Sequence, residues 1–214
     1  MKTEKVTFKS VKDLSKLLEI SRVISENYSQ ENMPISFLWL FLMGIMNKTY
    51  ELTETIIWSL ENKRPQTSAF MTRGLIETLS FMYCWDKKIV NVLNPTELDQ
   101  ITKEAIMGGR NEGAPYKAVS IKTCIEKASK EFPDIMKRYN DLSEMVHPNS
   151  KSHFYIFQPK DDVQQIAEFS FPFYDFKEND QKATINVAGE CASHIIDICE
   201  KIFKRFYGEG VNSG

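Results

Sequence analysis

The stretch "ATINVAGECASHIIDICEKIFKRF", residues 183–206, decides the fold class. Its apolar side chains recur in alternating steps of three and four residues, which is the spacing of one buried helix face. They are Ile185, Ala188, Ala192, Ile195, Cys199, Ile202 and Phe206. The pattern predicts a long final helix with one face packed against other helices.

The same spacing recurs upstream of this helix. Ser10, with Asp13 three residues later, is typical of a capped helix start. The remaining predicted helices cover about 10–28, 34–62, 66–86, 94–106, 119–130 and 133–147. Six or seven helices with short connections predict an all-α fold, a helical bundle that forms a single domain over residues 1–214.

One segment departs from the helical spacing. After Pro148 the apolar residues alternate with polar ones, in "HFYIF" at 153–157 and "EFSFPF" at 168–173. This predicts one small β-hairpin between the last two helices, within an excursion over 151–180. Residues 107–117, "MGGRNEGAPYK", contain three glycines and a proline, which predicts a loop.

Composition narrows the class of protein. The 214 residues are 42% hydrophobic and 26% charged with a net charge of -2, which argues against a chain dedicated to non-specific nucleic-acid binding. The four cysteines lack disulfide or zinc spacing and are predicted to be reduced thiols.

The most apolar run, 35–46, is shorter than the roughly 20 residues of a membrane span, and the charged N-terminus does not match a signal peptide. The sequence therefore predicts a cytoplasmic protein without membrane contact.

Two charged residues lie among apolar ones on the third predicted helix. Arg73 and Glu77 are four residues apart, so they are neighbours on one helix face. Gly74 between them costs a helix interior about 1 kcal/mol relative to Ala, which suggests that another backbone or a ligand approaches closely. The pair is either an ordinary surface ion pair or the organiser of a polar pocket.

A second polar stripe ends the sixth predicted helix. Tyr139, Ser143 and His147 step by four residues in "YNDLSEMVHPN", and Pro148 predicts that the helix ends at His147. The helix dipole favours a protonated histidine at this end. His147 is therefore either a structural cap or a titrating group beside a pocket.

A metal site is not expected. Helical di-iron proteins carry Glu-x-x-His pairs on two helices, and this chain has one such pair, Glu144 with His147. No nucleotide-binding or nucleophile-elbow motif is present, so no cofactor is predicted.

The spacing of these residues resembles that of an uncharacterised bacterial helical family with R-x3-E and Y-x2-L-S-x3-H-P motifs, over roughly residues 35–155. Arg73 and Glu77 match the first motif, and Tyr139, Ser143 and His147 match the second. The family looks distantly similar to HEPN domains, helical bundles among which are metal-independent ribonucleases of toxin and anti-phage systems. Such sites pair an Arg with a His on one helix. Here the corresponding positions hold Asn140, Asp141 and Leu142, so Arg73 from another helix would have to supply the charge.

The resemblance implies a first hypothesis, a metal-independent ribonuclease of a toxin or phage-defence system. RNA cleavage without metal needs a base for the 2′-OH and a cation for the phosphorane. His147 and Arg73 would take these roles, with Glu77 orienting Arg73. Tyr139, Ser143 and Asn149 would bind the RNA.

The second hypothesis is a non-catalytic module. Arg73, Glu77, Tyr139, Ser143 and His147 would then form a satisfied internal network that fixes helix register. The module would bind a protein partner, another copy of itself or a nucleotide. Under both hypotheses the long apolar stripe of the last helix leads us to expect a homodimer.

Overall fold

The computed structural model describes residues 7–29, 36–109, 112–146, 157–161, 166–169 and 178–208. Within these residues the chain forms seven α-helices and four short strands, which confirms the predicted all-α bundle. The helices are α1 (Val11–Asn27), α2 (Phe37–Glu61), α3 (Pro65–Ile89), α4 (Pro95–Met107), α5 (Ile121–Ala128), α6 (Ile135–Val146) and α7 (Glu178–Tyr207).

Two helices lie at the centre of the bundle. Helix α3 packs against α2, α5, α6 and α7, and α7 packs against α1, α2 and α3. Ile195, Cys199 and Phe203 of α7 are completely buried. The apolar stripe from which a homodimer is expected therefore packs against other helices of the same chain. It gives no argument for self-association.

The first helix begins with the predicted capping box. The Asp13 amide donates to Ser10 Oγ at 3.3 Å, and the Ser10 amide donates to Asp13 Oδ2 at 3.1 Å. The Lys9 amide also donates to this carboxylate at 3.1 Å. The Lys9 bond first, then the Ser10 hydroxyl, lower the pKa of Asp13, since hydrogen bonds to the charged form favour it.

The β-structure is small. Strands β3 (Phe157–Asp161) and β4 (Ile166–Phe169) form an antiparallel hairpin between α6 and α7, as expected. The described pairing runs over Phe157–Asp161 and Ile166–Phe169, so it includes the end of the first predicted strand and the start of the second, whose other residues lie outside the described part of the chain. The predicted loop at 107–117 also contains two short parallel strands, β1 (Gly108–Gly109) and β2 (Tyr116–Lys117).

Among the described residues, no helix combines the length and the apolarity that crossing a bilayer requires.

A glycine in α7 makes room for the segment that precedes α1. A Cβ added to Gly189 would lie 2.2 Å from Phe8 Cγ, and Phe8 is buried against α7. Gly189→Ala should therefore displace Phe8 and lower the free energy of unfolding by about 1–3 kcal/mol, measured by urea denaturation.

The Phe8→Ala background provides the control. With the ring gone, Gly189→Ala should be neutral or should stabilise by up to about 1 kcal/mol, because Ala favours helix more than Gly does. An equal loss in both backgrounds would show that Phe8 is not the obstacle.

Candidate functional site

Three of the five predicted motif residues meet where α6 packs on α3. Arg73 Nε donates to Glu77 Oε1 at 3.1 Å, and Arg73 Nη2 donates to the Tyr139 hydroxyl at 2.9 Å. The Tyr139 hydroxyl in turn donates to Glu77 Oε1 at 3.2 Å. The three side chains thus form a closed hydrogen-bonded triangle, the clamp between α3 and α6.

The clamp is partly buried. The Arg73 and Glu77 side chains are 24% and 32% exposed, which places them between the core and the surface. The Arg73 guanidinium also lies 4.9 Å from the centroid of the Tyr139 ring, in cation–π contact. An ion pair that is hydrogen-bonded to a third side chain and only partly exposed stabilises the packing more than an isolated surface ion pair does.

The clamp residues keep only part of their hydrogen-bonding capacity for a ligand. The Tyr139 hydroxyl already donates its one proton to Glu77 and accepts from Arg73, so a substrate acceptor could bind it only by displacing Glu77. Arg73 Nη1 has no hydrogen-bond partner among the described residues, so its two N–H groups and the second N–H of Nη2 remain for an anion. Ser143 does not join the triangle, because its hydroxyl donates to the Tyr139 carbonyl at 2.7 Å within α6.

The remaining motif residues fall outside the described part of the chain. Helix α6 ends at Val146, and His147 and Asn149 follow it in residues that the structure does not describe. The structure gives the hydrogen bonds of the clamp, whereas the roles of His147 and Asn149 stay predictions.

The glycine at position 74 leaves space for a side chain of α2. A Cβ there would lie 3.3 Å from Leu52 Cδ2, so the glycine lets the α2 side chain pack close to α3. The neighbour that the glycine accommodates is therefore a partly buried leucine side chain that packs against the core.

A second clamp, which was not predicted from the sequence, joins α6 and α7. Arg138 forms an ion pair and hydrogen bond with Glu190, and both side chains are at most a quarter exposed. Asn186 Nδ2 donates to Glu190 Oε1 at 3.0 Å, and the Phe8 amide donates to Asn186 Oδ1 at 3.3 Å. This cluster joins α6, α7 and the segment before α1.

The sequence did contain a signal for this second clamp. Asn186 and Glu190 are four residues apart beside the apolar stripe of α7, which is the same spacing that marks Arg73 and Glu77. Arg138, adjacent to Tyr139, points to a different helix from its neighbour, as successive residues on a helix do.

The four cysteines and His194 lie on α3, α5 and α7. The four cysteines are free thiols, and burial raises the pKa of Cys124 and Cys191 to about 12 each, which suppresses the thiolate. His194 lies against Phe132, with ring centroids 5.0 Å apart. Among the described residues, no group of three or more His, Cys, Asp or Glu is arranged to hold a metal ion.

Comparison with known proteins adds no assignment. No family model, no curated protein and no solved structure matches the chain.

Proposed function

We propose that this chain is a non-catalytic binding module in which the Arg73–Glu77–Tyr139 clamp fixes α6 on α3. The observation that supports the proposal is the closure of the triangle, in which each side chain bonds to the other two. Such a network, once satisfied, favours one packing arrangement over its alternatives.

The same closure argues against a catalytic use of these groups. Glu77 Oε1 and the Tyr139 proton are already engaged in internal hydrogen bonds, so using either group as a base or an acid would break the triangle. Two of the three Arg73 nitrogens already bond within the protein, and Glu77 accepts from both partners through one oxygen. Glu77 and Tyr139 hold the Arg73 guanidinium at the contact between α3 and α6, with Nη1 as its unbonded nitrogen among the described residues.

The partner in this proposal is a protein, a second copy of the chain or a nucleotide. For a nucleotide, Arg73 Nη1 is the contact that would meet a phosphate, since arginine is well suited to phosphate recognition. We expect the module to act in the cytoplasm, and homodimerisation stays part of the proposal without support from the α7 stripe.

A metal-independent ribonuclease is the second candidate. Arg73 is a quarter exposed and keeps one nitrogen free among the described residues, and α6 leads in sequence directly to His147. If this candidate is correct, His147 acts as base or acid, Arg73 holds the phosphate, and Asn149 contacts RNA.

One experiment separates the two candidates. Wild type, His147→Ala and Arg73→Ala are incubated with total RNA in EDTA, and the same samples are melted. We expect no RNA fragments from any of them, and a melting temperature several degrees lower for Arg73→Ala, because the stranded partners cost about 1–3 kcal/mol.

Arg22→Ala is the matched control. Arg22 also bonds to two carboxylates, Glu19 and Glu26, but on the exposed outer face of α1, so its loss should change stability by less than about 0.5 kcal/mol. Fragments from wild type that disappear in His147→Ala, at equal melting temperatures, would instead establish the ribonuclease.

A further inference from the structure

Two cysteines from different helices lie in contact with each other. Cys84 is on α3 and Cys124 is on α5, 40 residues apart in the chain. The Cys84 thiol donates to the Cys124 carbonyl oxygen, with 3.8 Å between sulfur and oxygen. The Cys124 side chain is in turn hydrogen-bonded to the Cys84 side chain. Because α3 packs against α5, the two thiols are held together at the contact between these helices.

The two thiols differ in their access to solvent. Cys124 is 1% exposed, and burial first, then the hydrogen bond with Cys84, raise its pKa to about 12. Cys84 is partly exposed and belongs to the wall of a cavity of about 70 Å³ between α3 and α4. A water molecule takes about 30 Å³ of liquid, so a reagent as small as hydrogen peroxide has room beside Cys84.

The other two cysteines are not placed in the same way. Cys191 and Cys199 both lie on α7, and eight residues of helix separate them by about 12 Å. A disulfide requires Cα atoms within about 7 Å, so these two cannot be joined while α7 is intact. Burial raises the pKa of both thiols without a contribution from another cysteine.

We propose that Cys84 and Cys124 form a reversible disulfide when the protein meets a peroxide, which makes the contact between α3 and α5 a redox-sensitive modification site. The sulfur atoms must approach to about 2.05 Å, and rotation of two side chains that already touch can bring them together. The bond ties α5 covalently to α3. Disulfides of cytosolic proteins are usually transient and redox-sensing, which suits the expected location.

The reaction proceeds in two steps. Cys84, as the thiolate, attacks one peroxide oxygen, the O–O bond breaks, and the departing hydroxide leaves as water with the thiol proton. The Cys124 sulfur then attacks the sulfenic sulfur of Cys84, the S–O bond breaks, and the Cys124 proton leaves with the hydroxyl group as a second water. The two thiols are oxidised by two electrons, and one peroxide is reduced to two waters.

The test uses the full chain, reduced with dithiothreitol and then freed of it. Hydrogen peroxide is added in small molar excess, and catalase and acid stop the reaction before the protein is unfolded and alkylated. The four free thiols should fall to two, and peptide mapping should show Cys84 joined to Cys124. Dithiothreitol should restore all four thiols, and the oxidised protein should run as a single chain on a non-reducing gel.

Cysteine variants test the order of the two steps. In Cys124→Ser the reaction should stop at the sulfenic acid of Cys84, which dimedone labels. Cys84→Ser should show neither the label nor a cross-link at the same dose of peroxide. Cys191→Ala is the matched control, because Cys191 is also buried but lies on α7. It should form the cross-link as wild type does.

Three results would overturn the proposal. The first is a wild type that keeps four thiols at a dose that fully oxidises free glutathione. The second is conversion of Cys84 to the sulfinic acid without a cross-link. The third is a disulfide that joins two chains, or one that includes Cys191 or Cys199. Peptide mapping of the wild type decides all three, so a variant that fails to fold leaves the test intact.

Discussion

Replacing Arg73 and Arg138 together by methionine should detach α6 from the bundle and lower the free energy of unfolding of that helix by about 2–5 kcal/mol. The reason is the composition of α6, in which Ile135 is the buried residue and Tyr139 and Leu142 are only partly buried. The helix therefore depends on its two polar clamps, one to α3 and one to α7. Methionine retains most of the apolar stem, so the loss reports the polar contacts.

Hydrogen exchange measures this effect locally. Amides of α6 should exchange roughly a hundredfold faster or more in the double variant, while amides in the centres of α3 and α7 should stay protected. Arg22→Met on α1 serves as the control and should leave the exchange of α6 unchanged. Unchanged protection of α6 in the double variant would mean that apolar packing alone holds the helix.

Phe203→Ala should destabilise the whole bundle by about 3–5 kcal/mol. Phe203 is completely buried in α7, and its ring stacks on Tyr28 with centroids 4.3 Å apart and planes 9° from parallel. Truncation removes this stacking and leaves a cavity where α7 meets the end of α1.

Urea denaturation with Phe70→Ala as the control measures this loss. Phe70 is 59% exposed on α3, so its truncation should cost less than about 0.5 kcal/mol. Similar losses for the two variants would place Phe203 outside the cooperative core.

The sequence predicted those features that depend on residues close together in the chain. The three-four spacing located the helices, and the Ser10–Asp13 pair predicted the capping box that the structure contains. Arg73 and Glu77 were paired correctly because helix geometry brings residues four apart together.

Contacts between distant residues could not be derived in the same way. Periodicity does not say which helices are neighbours, so Tyr139 was a candidate for the site without a predicted partner atom. The Arg138–Glu190 pair, 52 residues apart, follows only from the packing of α6 on α7. The clash that Gly189 avoids likewise requires knowing where Phe8 lies.

A double-mutant cycle on Arg73→Met and Tyr139→Phe tests the central claim most directly. The 2.9 Å hydrogen bond between these side chains should give a coupling energy of about 0.5–3 kcal/mol in urea denaturation, with each single variant destabilised. The distant pair Arg22→Met and Tyr139→Phe should be additive within about 0.5 kcal/mol. Additive effects for Arg73 and Tyr139, with neither variant less stable than wild type, would contradict a structural clamp and return both residues to the list of candidates for catalysis.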